Sequence, residues 1–115
     1  MTVQELIPAL GLEIVSGDGP HLARPITGGY ASDLLSCVMA GAKEGNVWVT
    51  LQAHPNVIAV ADLLDLACVI ITEGTRPDEE TLSRAREKGI PVLLSEQGTF
   101  TVVSRLAALG IEGTR

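Results

Sequence analysis

The sequence predicts a single α/β domain: a mostly parallel sheet of four or five strands with helices on both faces. Three observations carry that expectation. The central stretch Asn46–Gly74 reads strand, loop, helix, strand, and repeats of that rhythm build a parallel sheet with helices laid on it. Ala67-Cys68-Val69-Ile70-Ile71-Thr72 is apolar on both parities, as suits a strand covered on both faces. The chain has 115 residues, of which 46% are hydrophobic. That length fits one domain, able to bury roughly two-thirds of its surface without staples. The alternative is an open α+β arrangement in which Leu12–Ser16 and Arg24–Thr27 form a separate hairpin.

The elements follow from local signals. Thr2-Val3-Gln4-Glu5 is a capping-box pattern, with Thr2 as cap and Glu5 reaching back. Gly11 can close that helix in the left-handed region. Leu12–Ser16 alternates enough for a strand, and Gly17-Asp18-Gly19-Pro20 is a turn or loop. Arg24–Thr27 reads as a short second strand, which Pro25 places at an edge. Gly28-Gly29 is a turn signal before a helix capped by Ser32 or Asp33. Val47-Trp48-Val49 is β-branched and aromatic, as a buried strand requires.

Pro55 suits the first position of the next helix. From Asn56 to Leu66 only Asp62 and Asp65 are charged. Val57, Ile58, Val60, Ala61, Leu63 and Leu64 cover more than one side, so this helix needs a second apolar neighbour, another helix or another subunit. Asp78–Lys88 has acids at its start and Lys88 at its end, matching the helix dipole, and Gly89 stops it. Ile90–Leu94 is a short strand. Thr99 can cap the last helix, Phe100–Leu109, which Gly110 ends. With no linker, repeat or low-complexity tract, residues 1–115 are expected to act as one unit.

Net charge is -6 and the pI about 4.7. That balance argues against nucleic acid or an anionic membrane as partner, since both select clustered Lys and Arg. MTVQELIPAL has no basic start and no long apolar core, so it does not read as a signal peptide. No run approaches the roughly 18 apolar residues of a membrane span. Cys37 and Cys68 read as two reduced, buried thiols in the cytoplasm. His21 and His54 are not joined by metal-ligand spacing, and no metal or cofactor is expected. Asp62 and Asp65 read as the solvated edge of a buried helix. There is no P-loop, no GxGxxG after a strand and no GxSxG elbow.

In parallel α/β sheets ligands gather beyond the carboxyl ends of the strands. Those ends are expected at Thr50-Leu51-Gln52, Thr72-Glu73-Gly74 and Ser95-Glu96-Gln97. Each is followed by a helix start, whose free N–H groups suit phosphates or carboxylates. The candidate ligand-binding set is therefore Asp33, Thr50, Gln52, His54, Asn56, Glu73, Gly74, Arg76 and Ser95, with Arg76 the nearby guanidinium. Loop-to-helix junctions use the same residue types as caps, and for any single residue capping is the simpler reading.

Ala31–Asp33 with Leu34-Leu35-Ser36 and Val38–Ala42, Val47–Thr50, and His54–Ala61 resemble the DRTGG domain family. Ile70–Gly74 and Gly89–Val92 continue the likeness, which runs from about Leu12 to Gly110. No literal DRTGG occurs; Thr27-Gly28-Gly29 is the nearest piece, and Asp33, Thr50 and Gly74 are the positions mapped to the family's frequent residues. The resemblance implies a regulatory or accessory module. Such domains occur beside CBS domains in some family pyrophosphatases and ahead of phosphotransacetylase domains. They are similar to the N-terminal domain of HPr kinase/phosphorylase and, in fold, to that of Mur ligases. The family supplies no catalytic residues to carry over.

The expected function is a stand-alone regulatory or accessory module without catalytic activity, binding a small anionic ligand such as a nucleotide, or a protein partner. One alternative is an enzyme acting on a phosphorylated or carboxylated metabolite through Asp33, His54 and Glu73. The other is a pure interaction scaffold. A homodimer is expected because the 33–43, 56–66 and last helices carry more apolar surface than one sheet absorbs. The first two are expected at its centre, with the loop after Thr50 near its edge.

Overall fold

Strand order decides between the two arrangements. In the computed structural model, which describes residues 1–114, five strands form one sheet. They are β1 (Glu13–Ser16), β2 (Gly28–Ala31), β3 (Asn46–Thr50), β4 (Cys68–Ile71) and β5 (Val92–Leu94), in the order β1-β5-β4-β3-β2. β2 to β5 are parallel, and β1 joins β5 antiparallel. β1 and β2 sit at opposite edges, so the separate hairpin is excluded.

Six helices complete the chain: α1 (Val3–Leu10), α2 (Gly19–Leu22), α3 (Leu35–Gly41), α4 (Pro55–Leu63), α5 (Glu79–Lys88) and α6 (Thr99–Ala108). α3, α4 and α5 join successive parallel strands and cover one face, as same-handed crossovers require. α1 and α6 cover the other. Strand residues divide between the two cores by parity. Trp48, Val69, Ile71, Val92 and Leu94 point to the α3–α5 side, and Val47, Val49, Cys68, Ile70 and Leu93 to the α1/α6 side. No helix among the described residues is long and apolar enough to cross a membrane.

Most local signals act as read. Thr2 Oγ1 accepts from Glu5 N–H while Glu5 Oε1 accepts from Thr2 N–H at 2.9 Å, and Gly11 closes α1 with φ 65°. α5 begins one residue later than read: Asp78, taken for an acid of its first turn, is its N-cap, accepting from Thr81 N–H at 2.9 Å. Four further readings need correction. Arg24–Thr27 is not a strand: Pro25 makes one isolated bridge to Thr2, and the edge strand is Gly28–Ala31. The glycines taken for a turn are there because the chain's end runs along them. Gly29 N–H donates to Glu112 O at 2.9 Å, and a Cβ on Gly28 would strike the Thr114 side chain. The second half of the turn or loop read at Gly17–Pro20 opens the short helix α2, Gly19–Leu22.

The third correction concerns α3. Its N-cap is Leu34, with no side-chain cap. Ser32 Oγ accepts from Leu34 N–H at 3.1 Å one step earlier, and Asp33 bonds elsewhere. The fourth concerns α6, whose N-cap is Gly98. Thr99 is its first residue, and the capping oxygen comes from Glu73. For α4, the second apolar neighbour is another helix. Val57, Ile58, Val60 and Ala61 are all buried, α4 lying between α3 and α5 over the sheet. Of the two thiols read as buried, Cys68 is buried and Cys37 only half-buried.

Candidate functional site

The expected rim forms where the parallel strands end, and its polar groups fall into two clusters. At the ends of β2 and β3, Asp33 Oδ1 accepts from Thr50 Oγ1 at 2.8 Å and from Leu51 N–H at 2.9 Å. Thr50 Oγ1 in turn accepts from Gln52 N–H at 3.1 Å, and Gln52 Nε2 donates to the Asp33 carbonyl at 3.3 Å. Asp33, Thr50 and Gln52 are therefore one knot, built from the β2–α3 and β3–α4 loops.

The second cluster closes β4 and β5 against α6. Glu73 takes a left-handed backbone, φ 64°, unusual for a residue with a Cβ. That turn brings Glu73 Oε2 onto Thr99 N–H at 2.8 Å, where it serves as the cap of α6. Gly74 N–H donates to Ser95 O at 3.0 Å, and Ser95 Oγ accepts from Gln97 N–H at 3.1 Å. Thr72 Oγ1 and Thr99 Oγ1 share a 2.6 Å hydrogen bond. Thr72 Oγ1 also reaches Thr50 O at 3.5 Å, the link between the clusters.

The remaining candidates stand apart. His54 is the N-cap of α4, its Nδ1 accepting from Asn56 N–H at 3.1 Å. Arg76 makes a two-pronged pair with Glu13 on β1, at 3.0 and 2.9 Å. The guanidinium holds the Glu13 carboxyl below the usual carboxylate range, mainly through that hydrogen bond. Thus the one arginine expected to meet a ligand ties the β4–α5 loop to the edge strand. No hydrogen bond joins any two of Asp33, His54 and Glu73. Each of the three serves its own loop or helix start, whereas general acid–base chemistry needs groups within reach of one substrate proton.

The rim is also filled. Thr50, Thr72 and Ser95 are buried, and no buried side-chain polar atom among the described residues lacks a hydrogen-bond partner. Grooves open elsewhere. One of about 280 Å³ runs along the β2 edge beneath α6 and the chain end, lined by Tyr30, Val49, Val103, Leu106 and Ile111 among others. Two of about 350 Å³ lie beside β1 and between α4 and α5. None of these is lined by a rim candidate.

The surface beside the first cluster is the one the sequence offered for self-association, through the 33–43 helix and the loop after Thr50. Leu34 is 60% exposed, Met39 50% and Leu51 40%. The knot at Asp33 brings the loops bearing Leu34 and Leu51 together. Leu34 and Met39 belong to the apolar excess read on the 33–43 helix, whereas Leu51 was not singled out within the loop after Thr50. A single indole in an apolar strand does signal a needed partner: Trp48 Nε1–H donates to Ser32 O at 2.9 Å and ties the same loop down.

Residues 26–109 match the sequence profile of the DRTGG domain. The chain belongs to the DRTGG domain family. This DRTGG domain is similar in fold to a crystal structure of the CBS and DRTGG domains of the regulatory region of Clostridium perfringens pyrophosphatase, complexed with the activator diadenosine tetraphosphate. The TM-score is 0.77 at 16% identity, over 91% of this chain and 45% of that one. The chain thus spans under half of the structure it matches, and the likeness is one of fold. Thr27-Gly28-Gly29, the piece nearest the family name, has a local role here. Thr27 Oγ1 donates to Glu44 O at 2.7 Å and accepts from Asn46 Nδ2 at 3.2 Å, starting β2 against β3.

Proposed function

We propose that this DRTGG domain is a non-catalytic regulatory module that works by associating with a protein surface, in the first place a second copy of itself. The observation that carries the reading is the exposure of three apolar side chains on α3 and the loops at its start, Leu34, Met39 and Leu51. Leu34–Ala42 contains no Asp, Glu, Lys, Arg or His. Two copies of a chain with net charge -6 repel unless an uncharged face meets its like, and this helix offers one. Monomers rarely leave such patches open, and two-fold pairing covers them most simply, at a cost of about 800 Å² per partner. α3 and the loop after Thr50 form the centre of this surface. α4 contributes less, since Val57, Ile58, Val60 and Ala61 are already buried and only Leu63, at its end, stays 67% exposed. The regulatory character is supported by family membership and by the regulatory region to which the fold is similar.

The acting unit is the whole chain, residues 1–115, because α1 precedes the matched segment and still sends Val3, Leu6 and Leu10 into the core. Free Cys37 and Cys68 support a reducing compartment, the cytoplasm. Sedimentation equilibrium tests the reading. The isolated chain should show about twice 12.0 kDa at tens of micromolar, and a clean monomer mass would end it.

A second reading, binding of a nucleotide, is favoured by the dinucleotide activator in the similar structure. Asp33, Thr50, Gln52, His54, Asn56, Glu73, Gly74, Arg76 and Ser95 would be its site, at the starts of α4 and α6. The acids at the rim and the pairing of Arg76 weigh against an anion there. A thermal-shift series with adenine and guanine nucleotides separates the readings. A ligand at 100 times its Kd stabilises by about 2.7 kcal/mol, and no shift at millimolar nucleotide leaves association alone.

A further inference from the structure

The two loops that carry Leu34 and Leu51 are stapled by one carboxylate. Both bonds that Asp33 accepts through its side chain, from Thr50 Oγ1 and from Leu51 N–H, land on the same oxygen, Oδ1. Asp33 is itself exposed, so the staple adds no burial to the core. α3 starts at Leu34 without a side-chain cap, and Leu51 lies in a bend just past β3. Leucines 60% and 40% exposed gain little for folding by being held still. Holding them still does help association, because surface fixed beforehand loses less entropy on binding.

We propose that Asp33 is the positioning residue of the association surface, holding Leu34 and Leu51 as one apolar face for a second copy of the chain. The proposal rests on the self-association reading above and adds to it the group that shapes the contact. Because both bonds use one oxygen, an amide can replace the carboxylate and keep them, whereas a methyl group cannot.

The test is the dimer dissociation constant of the full chain by sedimentation equilibrium, for the wild type, Asp33→Asn and Asp33→Ala, with hydrogen exchange at Leu51 N–H as a local readout. Asp33→Ala should weaken the dimer at least about tenfold, equivalent to about 1.4 kcal/mol, and speed exchange at Leu51. Asp33→Asn should stay within about twofold of the wild type on both measures. Equal weakening by both variants would mean that the charge itself meets the partner, and overturns positioning. An unchanged Asp33→Ala dimer overturns the proposal while leaving self-association intact. A wild-type monomer overturns both. Should Asp33→Ala fail to fold, Thr50→Val removes one of the two donors at similar shape; weakening of about threefold supports the proposal, and none overturns it.

Discussion

Replacing Gly41 by alanine tests how α3 is seated on the edge of the sheet, and with it the proposed association face. Gly41 is the last residue of α3 and lies against the Tyr30 ring of β2. An added Cβ would stand 2.5 Å from Cε1, 2.7 Å from Cζ and 2.8 Å from the hydroxyl oxygen. Carbon contacts are comfortable at about 3.5–4.0 Å, so either α3 lifts or the half-buried ring swings out. Overpacking of this kind costs about 1–3 kcal/mol. Alanine's helix propensity offsets up to about 1 kcal/mol of that, and less at a helix end. The net expectation is a loss of about 1–2 kcal/mol, read as a lower urea midpoint at unchanged slope.

The same measurement on Tyr30→Ala and on the double variant completes a cycle. With the ring gone the clash is gone, so Gly41→Ala should be neutral or stabilising there, with a coupling of about 1 kcal/mol or more. Lifting α3 also moves Met39, so the proposed self-association should weaken alongside. A Gly41→Ala protein as stable as the wild type would refute the reasoning, as would a cycle with no coupling.

Three further outcomes are expected. Glu73→Ala loses the cap on Thr99 N–H but keeps the left-handed backbone, whereas Glu73→Gly loses the cap and relieves the backbone; in urea the alanine variant should be the less stable by about 1 kcal/mol. Burial pushes the Cys68 thiol up from 9.0 to about 12. The native state therefore holds a proton that the unfolded chain releases above about pH 9, and stability should fall by up to about 1.4 kcal/mol per pH unit from there; a flat profile between pH 9 and 11 would contradict the burial. Hydrogen bonds from Thr2 and Thr81 lower the Glu5 and Asp78 carboxyls, so their contribution is present above the unfolded carboxylate range and lost as pH falls through the folded values. Both Glu5→Gln and Asp78→Asn should flatten the acid limb of a pH–stability curve.

What the sequence determined by itself was whatever is settled within a few residues or by two-sided apolarity. The Thr2/Glu5 box, Gly11, Pro55 opening α4, the acids that open α5 and Gly89 closing it are local geometry, complete within one helical turn. β3 and β4 were legible because a strand covered on both faces has no polar parity. The family was legible too, from motifs spread over most of the chain. Tertiary structure alone decided where polar groups spend their bonds. Arg76 finds Glu13 at a separation of 63 residues, and Glu73 caps a helix 26 residues on, so residues of binding type at the rim became its fasteners. Gly28-Gly29 is a strand because it pairs with β3, and residues 112–114 pack on its other side, partners that no local window contains. The apolar sides of α4 pointed equally to a helix or a subunit until α3 and α5 were placed beside it. The exposed leucines at positions 34 and 51 follow from the same cause: a side chain's burial is set by what the fold brings to it, and residue type states only what burial would be worth.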